Sequence, residues 1–304
     1  MIPEFFEFKK LELSDREEIE IITKQFLPYS DFHFTSIFCW AFDNSTLISK
    51  LNNNLIVKQT DWTTGEQFFS IIGINSVPKT INEISTFLIK NKFPLTLRWV
   101  PEETVKYLNK INTTIVEDRD YFDYVYNVSD LFFASGSKYK KYRNGFSRFI
   151  RKHNNITTRL IDLRCETIKL QINNLLNKWV ENKEFENKKC EQSFECQALN
   201  KLLSTAEEFE SLIALGVFDN NELIAFIIND IIDKDYGCGL FWKANTIYKG
   251  IYQYLMKENI NLYNDKKLRF FSFECDLGIE SLRESKKRYH SAFFLKKYKI
   301  EFNN

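Results

Sequence analysis

The sequence contains little that could hold a metal ion or form a disulfide framework. Its 304 residues include only three histidines and six cysteines, and no two cysteines form a Cys-x-x-Cys pair. Cys190 and Cys196 are separated by five residues, and with so few histidines this is a poor zinc spacing. We therefore expect no metal site, and we expect reduced, mostly buried thiols, as in a cytoplasmic protein.

The sequence also lacks long hydrophobic runs and a charge of one dominant sign. No apolar run approaches the ~20 residues that a membrane-spanning helix needs. The N-terminal stretch MIPEFFEFKKLELSDREEIE is acidic and has no basic-then-apolar signal pattern. The net charge of +1 means that any site for nucleic acid or anionic lipid must be local. These absences predict a soluble, cytoplasmic protein without a transmembrane segment, and they leave a peripheral membrane contact open.

The composition predicts a folded chain with substantial cores. Apolar residues make up 44% and aromatic residues 16%, including 29 phenylalanines, which argues against disorder. A chain of 304 residues is long for one core, so two domains are expected.

Periodicity predicts that the chain passes twice through a similar order of helices and strands. In the first half a helix opens near Ser14, three short strands follow between residues 46 and 72, and a helix and a strand end near Val100. The second half is predicted to contain two helices, a hairpin over Asp219–Asn221, a strand ending at Lys243 and a helix over residues 248–263. A strand, a helix and a strand then complete residues 268–302. This order predicts an α/β protein with mixed sheets, of the α+β kind.

An unusually basic segment separates the two halves. From Leu131 to Ile161 there are eight Lys or Arg residues and no Asp or Glu. Apolar residues recur there at helical spacing, at Tyr139, Tyr142, Phe146 and Phe149, and cations line another face at Lys141, Arg148 and Lys152. The segment is predicted to be an amphipathic helix that either docks tRNA or anionic headgroups, or only links the two halves with its aromatic side chains buried.

The last part of the chain carries the strongest local pattern. The apolar run Leu268–Glu274 leads through Asp276 and Gly278 into a helical pattern, and a second apolar run, Phe293–Phe302, follows it. Asp276 is predicted to be the helix N-cap.

The helix in this stretch is predicted to have two useful faces. Arg283, Lys286 or Lys287, and His290 would follow one another along one of them. A neighbouring stripe of Ile279, Leu282 and Tyr289 would be buried. A strand end, a cap and a row of cations together predict an anion pocket, although such runs are also common on solvated helix faces.

Three segments resemble the phosphatidylglycerol lysyltransferase C-terminal domain family, and they occur in the order of that family. They are DLGIESLRESKKRY at 276–289, DYVY at 123–126 with GSKYKKYRN at 136–144, and KAN at 243–245 with KGIY at 249–252. The first 120 residues match only loosely. The resemblance implies two tandem GNAT-like acyltransferase domains, at 1–135 and 161–304, joined by a basic helix within 136–160.

The resemblance also implies a site in the second half. Its catalytic residues would be Asp276, Arg283, Lys286 and Glu274. Its substrate- and donor-binding residues would be Lys243, Asn245, Gly250, Tyr126, Lys141, Arg143 and Asn144.

Two features of the sequence depart from the family pattern. Trp242 stands where the family generally has an acid, so the role of that acid would pass to Glu274 or Asp276, or be lost. Only Gly250 remains of the glycine-rich loop that binds coenzyme A phosphates in GNAT domains, and a lone glycine can equally serve helix packing. Lys243 can equally be a solvated strand end.

The resemblance implies an acyl- or aminoacyltransferase that moves its group from an aminoacyl-tRNA or an acyl-coenzyme A to an amine or a hydroxyl. A phosphatidylglycerol-type lipid is one acceptor that it suggests, and no permanently bound cofactor is implied. The alternative is a non-catalytic binding or regulatory protein that keeps the tandem fold. A module that only binds nucleic acid would rest on the basic helix alone.

Overall fold

The computed structural model describes residues 1–42, 46–108, 113–181 and 194–303. Its strands are β1 (Lys9–Lys10), β2 (Leu47–Leu51), β3 (Asn54–Thr60), β4 (Gln67–Ile72), β5 (Thr96–Pro101), β6 (Thr113–Glu117), β7 (Asp123–Asn127), β8 (Ile156–Ile161), β9 (Leu212–Asp219), β10 (Glu222–Ile231), β11 (Tyr236–Ala244), β12 (Phe270–Ser272), β13 (Phe293–Leu295) and β14 (Lys297–Phe302). Its helices are α1 (Arg16–Thr23), α2 (Phe34–Trp40), α3 (Val77–Lys90), α4 (Glu102–Val105), α5 (Val128–Phe133), α6 (Lys140–Lys152), α7 (Glu166–Glu181), α8 (Phe194–Ser204), α9 (Ile251–Asp265) and α10 (Glu280–Lys287).

The strands form two mixed sheets of seven strands each. The first has the order β1-β2-β3-β4-β5-β14-β6 and the second has the order β13-β7-β12-β11-β10-β9-β8. The β2–β3 and β9–β10 hairpins are each closed by two asparagines with positive φ, Asn52–Asn53 and Asn220–Asn221. The turn propensity of asparagine predicts this. The β4–β5 pair of the first sheet and the β11–β12 pair of the second sheet are parallel.

The chain divides into two compact units that are not contiguous in sequence. One comprises Met1–Asp123, Cys275–Leu282 and Phe294–Asn304, and the other comprises Tyr124–Glu274 and Arg283–Phe293. Strand exchange produces this pattern, because β14 joins the first sheet and β7 joins the second. The domains predicted from the sequence, at 1–135, 136–160 and 161–304, remain a prediction. The two compact units of the structure cross these predicted boundaries.

The first unit buries apolar side chains between α3 and the first sheet. Val77, Ile81, Ile84 and Leu88 recur on one face of α3, and all four are buried. Leu97 of β5 and Ile300 of β14 belong to the same core. The last strand of the chain is therefore part of the core of the first unit.

The second unit confirms the amphipathic basic helix. Tyr142 and Phe149 of α6 are buried and Phe146 is half-buried, whereas Lys141, Arg148 and Lys152 are exposed. In the same unit α9 packs against α6. The aromatic stripe thus joins the core while the cations stay in water.

Several local predictions need correction. The apolar run over residues 293–302 is split into two strands of different sheets, and β8 was not predicted from its pattern of threonines and an arginine. The helix predicted over 279–290 is only Glu280–Lys287, and Ile279 is 48% exposed because it precedes the helix.

Among the described cysteines, four are free thiols and Cys196 is disulfide-bonded, which corrects the expectation of reduced thiols throughout.

Cys190 lies outside the described residues. None of the helices in the described ranges combines the length and the hydropathy that crossing a membrane requires.

Candidate functional site

A cleft of about 320 Å³ lies where α6 crosses the beginning of α9 in the second unit. Its lining residues come from these two helices and the turn before α9, and they are Lys141, Asn144, Gly145, Arg148, Lys249, Gly250 and Gln253. Gly250 has φ +99° and begins α9, and a Cβ there would lie 3.2 Å from the Gly145 carbonyl oxygen. The cleft therefore depends on a close approach of two backbones that glycine permits.

The charges around the cleft favour an anion. Within the described ranges, Lys141, Arg148 and Lys249 make no ion pair, so their charges are not neutralised by the protein. The cleft also lies beside the N-terminus of α9, a helix of 15 residues, and that end of a helix attracts negative charge. Side-chain cations and a helix N-terminus together match the requirements of a phosphate group.

The structure brings three of the predicted donor-binding residues together in this cleft: Lys141, Asn144 and Gly250. It adds Arg148, Lys249 and Gln253, which the sequence prediction did not include among the site residues. Arg148 could have been found, because it is seven residues after Lys141 on the same helix face. Lys249 directly precedes the one glycine of the loop, which was a weaker signal.

Two other predicted binding residues have local structural contacts instead. The Arg143 guanidinium donates hydrogen bonds to the carbonyl oxygens of Ala134 and Gly136, the latter at 2.8 Å. The Asn245 side-chain oxygen accepts the N–H of Ile247 at 3.1 Å and so shapes the turn that leads to α9. Neither residue is in the cleft lining, and their predicted binding roles remain predictions.

Lys286, Glu274 and Tyr126 form a second cluster in the same unit. The Lys286 ammonium donates to the Phe273 carbonyl oxygen and, at 3.3 Å, to the Glu274 carbonyl oxygen. The Tyr126 hydroxyl donates to the Lys286 carbonyl oxygen at 3.0 Å. Glu274 has φ +58°, so the chain turns sharply where Lys286 contacts it.

Asp276 is fully buried in the first unit and is not the cap of α10. Its Oδ1 accepts the N–H of Gly278 at 3.0 Å, and its Oδ2 accepts a hydrogen bond from Arg119 at 3.2 Å. The helix begins four residues later, at Glu280, so Asp276 orders the preceding turn instead. Arg283 lies on α10 and is half-buried.

Lys243 is at the end of β11 and is not a solvated strand end. Only 6% of the residue is exposed. Its ammonium donates to Glu195 Oε1 at 2.5 Å and lies 4.1 Å from the ring centre of Trp179. Glu195 and Trp179 were not predicted, because they are 48 and 64 residues away from Lys243 in the sequence.

The two central strands of the second sheet separate near these residues. β11 pairs with β12 only from Tyr236 to Cys238, although β11 continues to Ala244. Trp242 and Phe273, one from each side of the gap, pack with ring centres 4.7 Å apart. The edge of β11 that faces β12 is therefore open to side chains from other elements at its end, while β10 pairs with the opposite edge up to Ala244.

The corresponding turn of the first unit is already occupied by a side chain. Before α3, the Asn54 side-chain oxygen accepts the N–H of Asn75 at 2.9 Å, and its amide nitrogen donates to the Asn75 carbonyl oxygen at 2.7 Å. The amide thereby occupies the position beside the loop that an anion would need. Before α9 the Asn245 side chain accepts only the N–H of Ile247, and within the described ranges no side chain bonds to Gly250 of the cleft, which distinguishes the second unit.

A sequence model of the family described as "Phosphatidylglycerol lysyltransferase, C-terminal" matches residues 23–301. The match extends through most of the first half, where the sequence motifs gave only loose similarity. No curated protein matches the chain.

Solved structures resemble the chain over nearly its full length. A conserved protein of unknown function from Bacteroides thetaiotaomicron is 23% identical, with 100% of each chain covered and a TM-score of 0.82. L-PGS from Bacillus licheniformis is 13% identical over 95% of this chain and 92% of its own, with a TM-score of 0.65. A tandem GNAT protein from the clavulanic acid biosynthesis pathway is 6% identical over 98% and 99%, with a TM-score of 0.52. These likenesses confirm the tandem GNAT-like fold.

Proposed function

The chain belongs to the phosphatidylglycerol lysyltransferase C-terminal family, and from this membership we propose that it is an acyl- or aminoacyltransferase. In this proposal the donor is an aminoacyl-tRNA or an acyl-coenzyme A, and the acceptor is an amine or a hydroxyl. The family and the fold support a transferase-type role. The identity of the donor and of the acceptor is the part that the proposal adds.

The observation that carries the proposal is the cationic cleft between α6 and α9. Both donor classes carry phosphates, and the cleft offers three cations and a helix N-terminus to such phosphates. Coenzyme A domains with several loop glycines use backbone N–H groups for this purpose. Here the α6 side chains would take over part of that role, because the loop retains one glycine.

Transfer itself needs a group that stabilises the negative oxygen of the tetrahedral intermediate. We assign this role to Lys286, with Arg283 as a second cation on α10, because both carry donors suited to an oxyanion. The two carbonyl contacts of Lys286 hold its ammonium beside the gap between β11 and β12. No metal enters the proposed reaction.

A non-catalytic binding protein is the second candidate. Trp242 favours a non-catalytic protein, because it stands where the family generally has an acidic residue. The burial of Asp276 against Arg119 also favours it. Such a protein would keep the anion cleft and lack transfer. A lipid acceptor of the phosphatidylglycerol type would extend the first proposal.

A thermal-shift panel tests the proposal. The ligands are coenzyme A, several acyl-coenzyme A thioesters, and bulk tRNA in aminoacylated and uncharged form. A ligand present at ~100 times its dissociation constant stabilises the folded protein by about 2.7 kcal/mol, which raises the melting temperature measurably. We expect stabilisation by a thioester or a preference for aminoacylated tRNA. If no ligand of the panel raises the melting temperature, the transferase proposal fails.

A further inference from the structure

The first unit carries a group of phenylalanine rings that its core leaves partly in water. The ring centre of Phe87 lies 5.0 Å from that of Phe5 and 6.0 Å from that of Phe93, and Phe6 lies 4.9 Å from Phe5. Phe69 of the core lies beneath them, 5.9 Å from Phe87. Four of the surface rings are half-buried, and Phe6 is 60% exposed. We call this surface the phenylalanine patch; its members are Phe5, Phe6, Phe8, Phe87 and Phe93.

A closed turn holds the most exposed ring of the patch. The Phe5 N–H donates to the Lys50 carbonyl oxygen on β2 at 2.9 Å, and the Glu7 N–H donates to the Glu4 carbonyl oxygen at 3.0 Å. These bonds place Phe5 and Phe6 at the corner of the turn. Single exposed apolar side chains are ordinary on protein surfaces, but a contiguous group of aromatic rings indicates an interaction site.

The register of the first sheet places two lysines beside the patch. Lys10 of β1, Leu47 of β2, Lys58 of β3 and Phe69 of β4 are paired in one row across the sheet. Residues that are paired directly point to the same face of a sheet, so both lysines lie on the face that carries the core ring Phe69. The Lys58 ammonium lies 5.1 Å from the ring centre of Phe93.

Two more lysines come from the end of α3. Lys90 is three residues after Phe87 and therefore its neighbour on the helix surface, and Lys92 directly precedes Phe93. Within the described ranges, none of the four lysines makes an ion pair; they are Lys10, Lys58, Lys90 and Lys92. Glu7 is the only acidic residue in the segment 5–10. The patch therefore has a positive rim.

The charge of the rim decides which partner is complementary to this surface. A lipid surface with anionic headgroups attracts lysines, whose apolar stems lie along the headgroups while aromatic rings enter the boundary with the acyl chains. A second copy of this chain would bring the same lysines against one another, which repels. A stable protein interface needs about 800 Å² from each partner, whereas four of the five rings are already half-buried.

We propose that the phenylalanine patch and its four lysines bind the surface of a membrane that contains anionic lipids, with Phe6 entering between the headgroups. The binding is reversible and depends on salt, because it uses one well-exposed ring and a few surface charges. The inference does not depend on the proposed transferase function, because the patch belongs to the first unit and the donor cleft to the second.

Co-sedimentation with lipid vesicles tests the proposal. One set of vesicles contains phosphatidylcholine with about one-third phosphatidylserine, and the other contains phosphatidylcholine alone. We expect the protein to bind the anionic vesicles, to bind the neutral ones at least about tenfold more weakly, and to leave the anionic vesicles as the salt concentration rises. Equal binding to both sets, or no binding to the anionic set, would overturn the proposal.

Substitution of the exposed ring locates the contact. Phe6→Ser should weaken the partition onto anionic vesicles about tenfold, because the apolar area that enters the membrane is lost. The matched control is Ile89→Ser: Ile89 is 62% exposed, but it lies about 200° round α3 from Phe87. An equal loss in both variants would show that the patch is not the contact.

Substitution of the rim separates local charge from net charge. Lys90→Gln with Lys92→Gln should weaken the partition about 30-fold, the contribution of two lysines at an anionic surface. Lys266→Gln with Lys267→Gln removes two exposed lysines that follow α9 in the second unit, and its partition should stay within about threefold of that of the wild type. Equal partition of the two double variants contradicts the proposal.

Two further outcomes would assign the binding elsewhere. If Lys141→Ala with Arg148→Ala abolishes vesicle binding while Phe6→Ser keeps it, the membrane contact belongs to α6 and the proposal fails. If the protein self-associates without vesicles, and Phe6→Ser prevents this, the patch is an interface between two copies, and the proposal also fails. Donor binding in the thermal-shift panel should be unchanged in Phe6→Ser, so a failure of the transferase proposal is recognised separately.

Discussion

At the scale of single residues, the clearest example of a buried charge is Asp61 in the first unit. Its carboxylate accepts hydrogen bonds from the Thr63 N–H at 2.9 Å and from the Tyr121 hydroxyl at 2.6 Å. Arg98 donates to the same carboxylate at 2.9 Å. Burial alone would raise the pKa of Asp61, but the hydrogen bonds and the Arg98 charge together lower it.

This lowered pKa predicts a loss of stability in acid. Because the folded pKa of Asp61 is below its ordinary value of 3.8, the ionised carboxylate contributes stability above that pH, and the contribution disappears as the pH falls through the folded pKa. Asp61→Asn should lower the free energy of unfolding at pH 7 by about 2 kcal/mol, the range for hydrogen bonds to a charged group. Thermal melts of both proteins between pH 2 and 7, a range set by the lowered pKa, check this.

The difference between the two proteins should shrink as the pH falls below 3.8. A constant difference across the whole range would mean that Asp61 acts through shape rather than charge.

Which residues lie together in the cleft could be predicted from the sequence only where a motif contains them. Lys141 and Asn144 are on one helix, and Gly250 begins the next one in the cleft, so a motif could identify them. The Glu195–Lys243 pair joins two elements that are far apart in the chain, and no local pattern contains that information. Contacts of this kind follow from the fold and not from periodicity.

At the scale of elements, the crossing of α6 and α9 determines whether the cleft exists. Gly145 and Gly250 allow the two backbones to come close, and a side chain at position 250 would have to displace the Gly145 carbonyl group. The positive φ of Gly250 adds a conformational cost for any other residue. The glycine thus serves helix packing and cleft shape at the same time.

Gly250→Ala should therefore be more damaging than a matched glycine substitution. Gly65 also has positive φ, +77°, but a Cβ there would contact nothing within 4 Å. Both variants lose about 1 kcal/mol from the unfavourable φ, and Gly250→Ala should lose a further ~1–3 kcal/mol from the close contact. Urea denaturation of the two variants and of the wild type measures the difference. Equal losses would show that the close approach at α6 and α9 does not constrain the helices.

The elements themselves were largely predictable from the sequence, with instructive exceptions. α6 was predicted because its aromatic and cationic faces alternate with the helical period. β8 was missed because its exposed residues do not alternate with apolar ones. Its strand conformation is stabilised by its pairing with β9. The run over residues 293–302 looks like one strand because apolar residues continue through it, and only the two sheets separate β13 from β14.

At the scale of the whole molecule, each sheet receives a strand from the other half of the sequence. β14 lies between β5 and β6, and β7 lies between β13 and β12. Lys297 of β14 is fully buried in the first unit and pairs with Asp123 at 2.9 Å and with Asp31. The sequence predicts two similar orders of helices and strands. It does not predict the exchange of β7 and β14 between the sheets, because strand order depends on pairings between distant residues.

The whole-molecule account assigns donor binding to the second unit alone. Asn54 occupies the loop of the first unit, whereas the cleft of the second unit presents three cations that make no ion pair within the described ranges. The proposed transfer depends on a donor held in this cleft.

The most direct test is the affinity of a double variant for coenzyme A and for bulk aminoacylated tRNA, measured by calorimetry. Lys141→Ala with Arg148→Ala removes two cleft cations, and Arg151→Ala with Lys152→Ala removes two cations of α6 that do not line the cleft. We predict that the first pair weakens binding of the donor ligand at least about tenfold, in line with the loss of two charged contacts. The affinity of the Arg151→Ala, Lys152→Ala variant should be within about threefold of that of the wild type. This variant loses the same net charge as the first one, but the two cations lie outside the cleft. Equal affinity for both double variants would contradict the account.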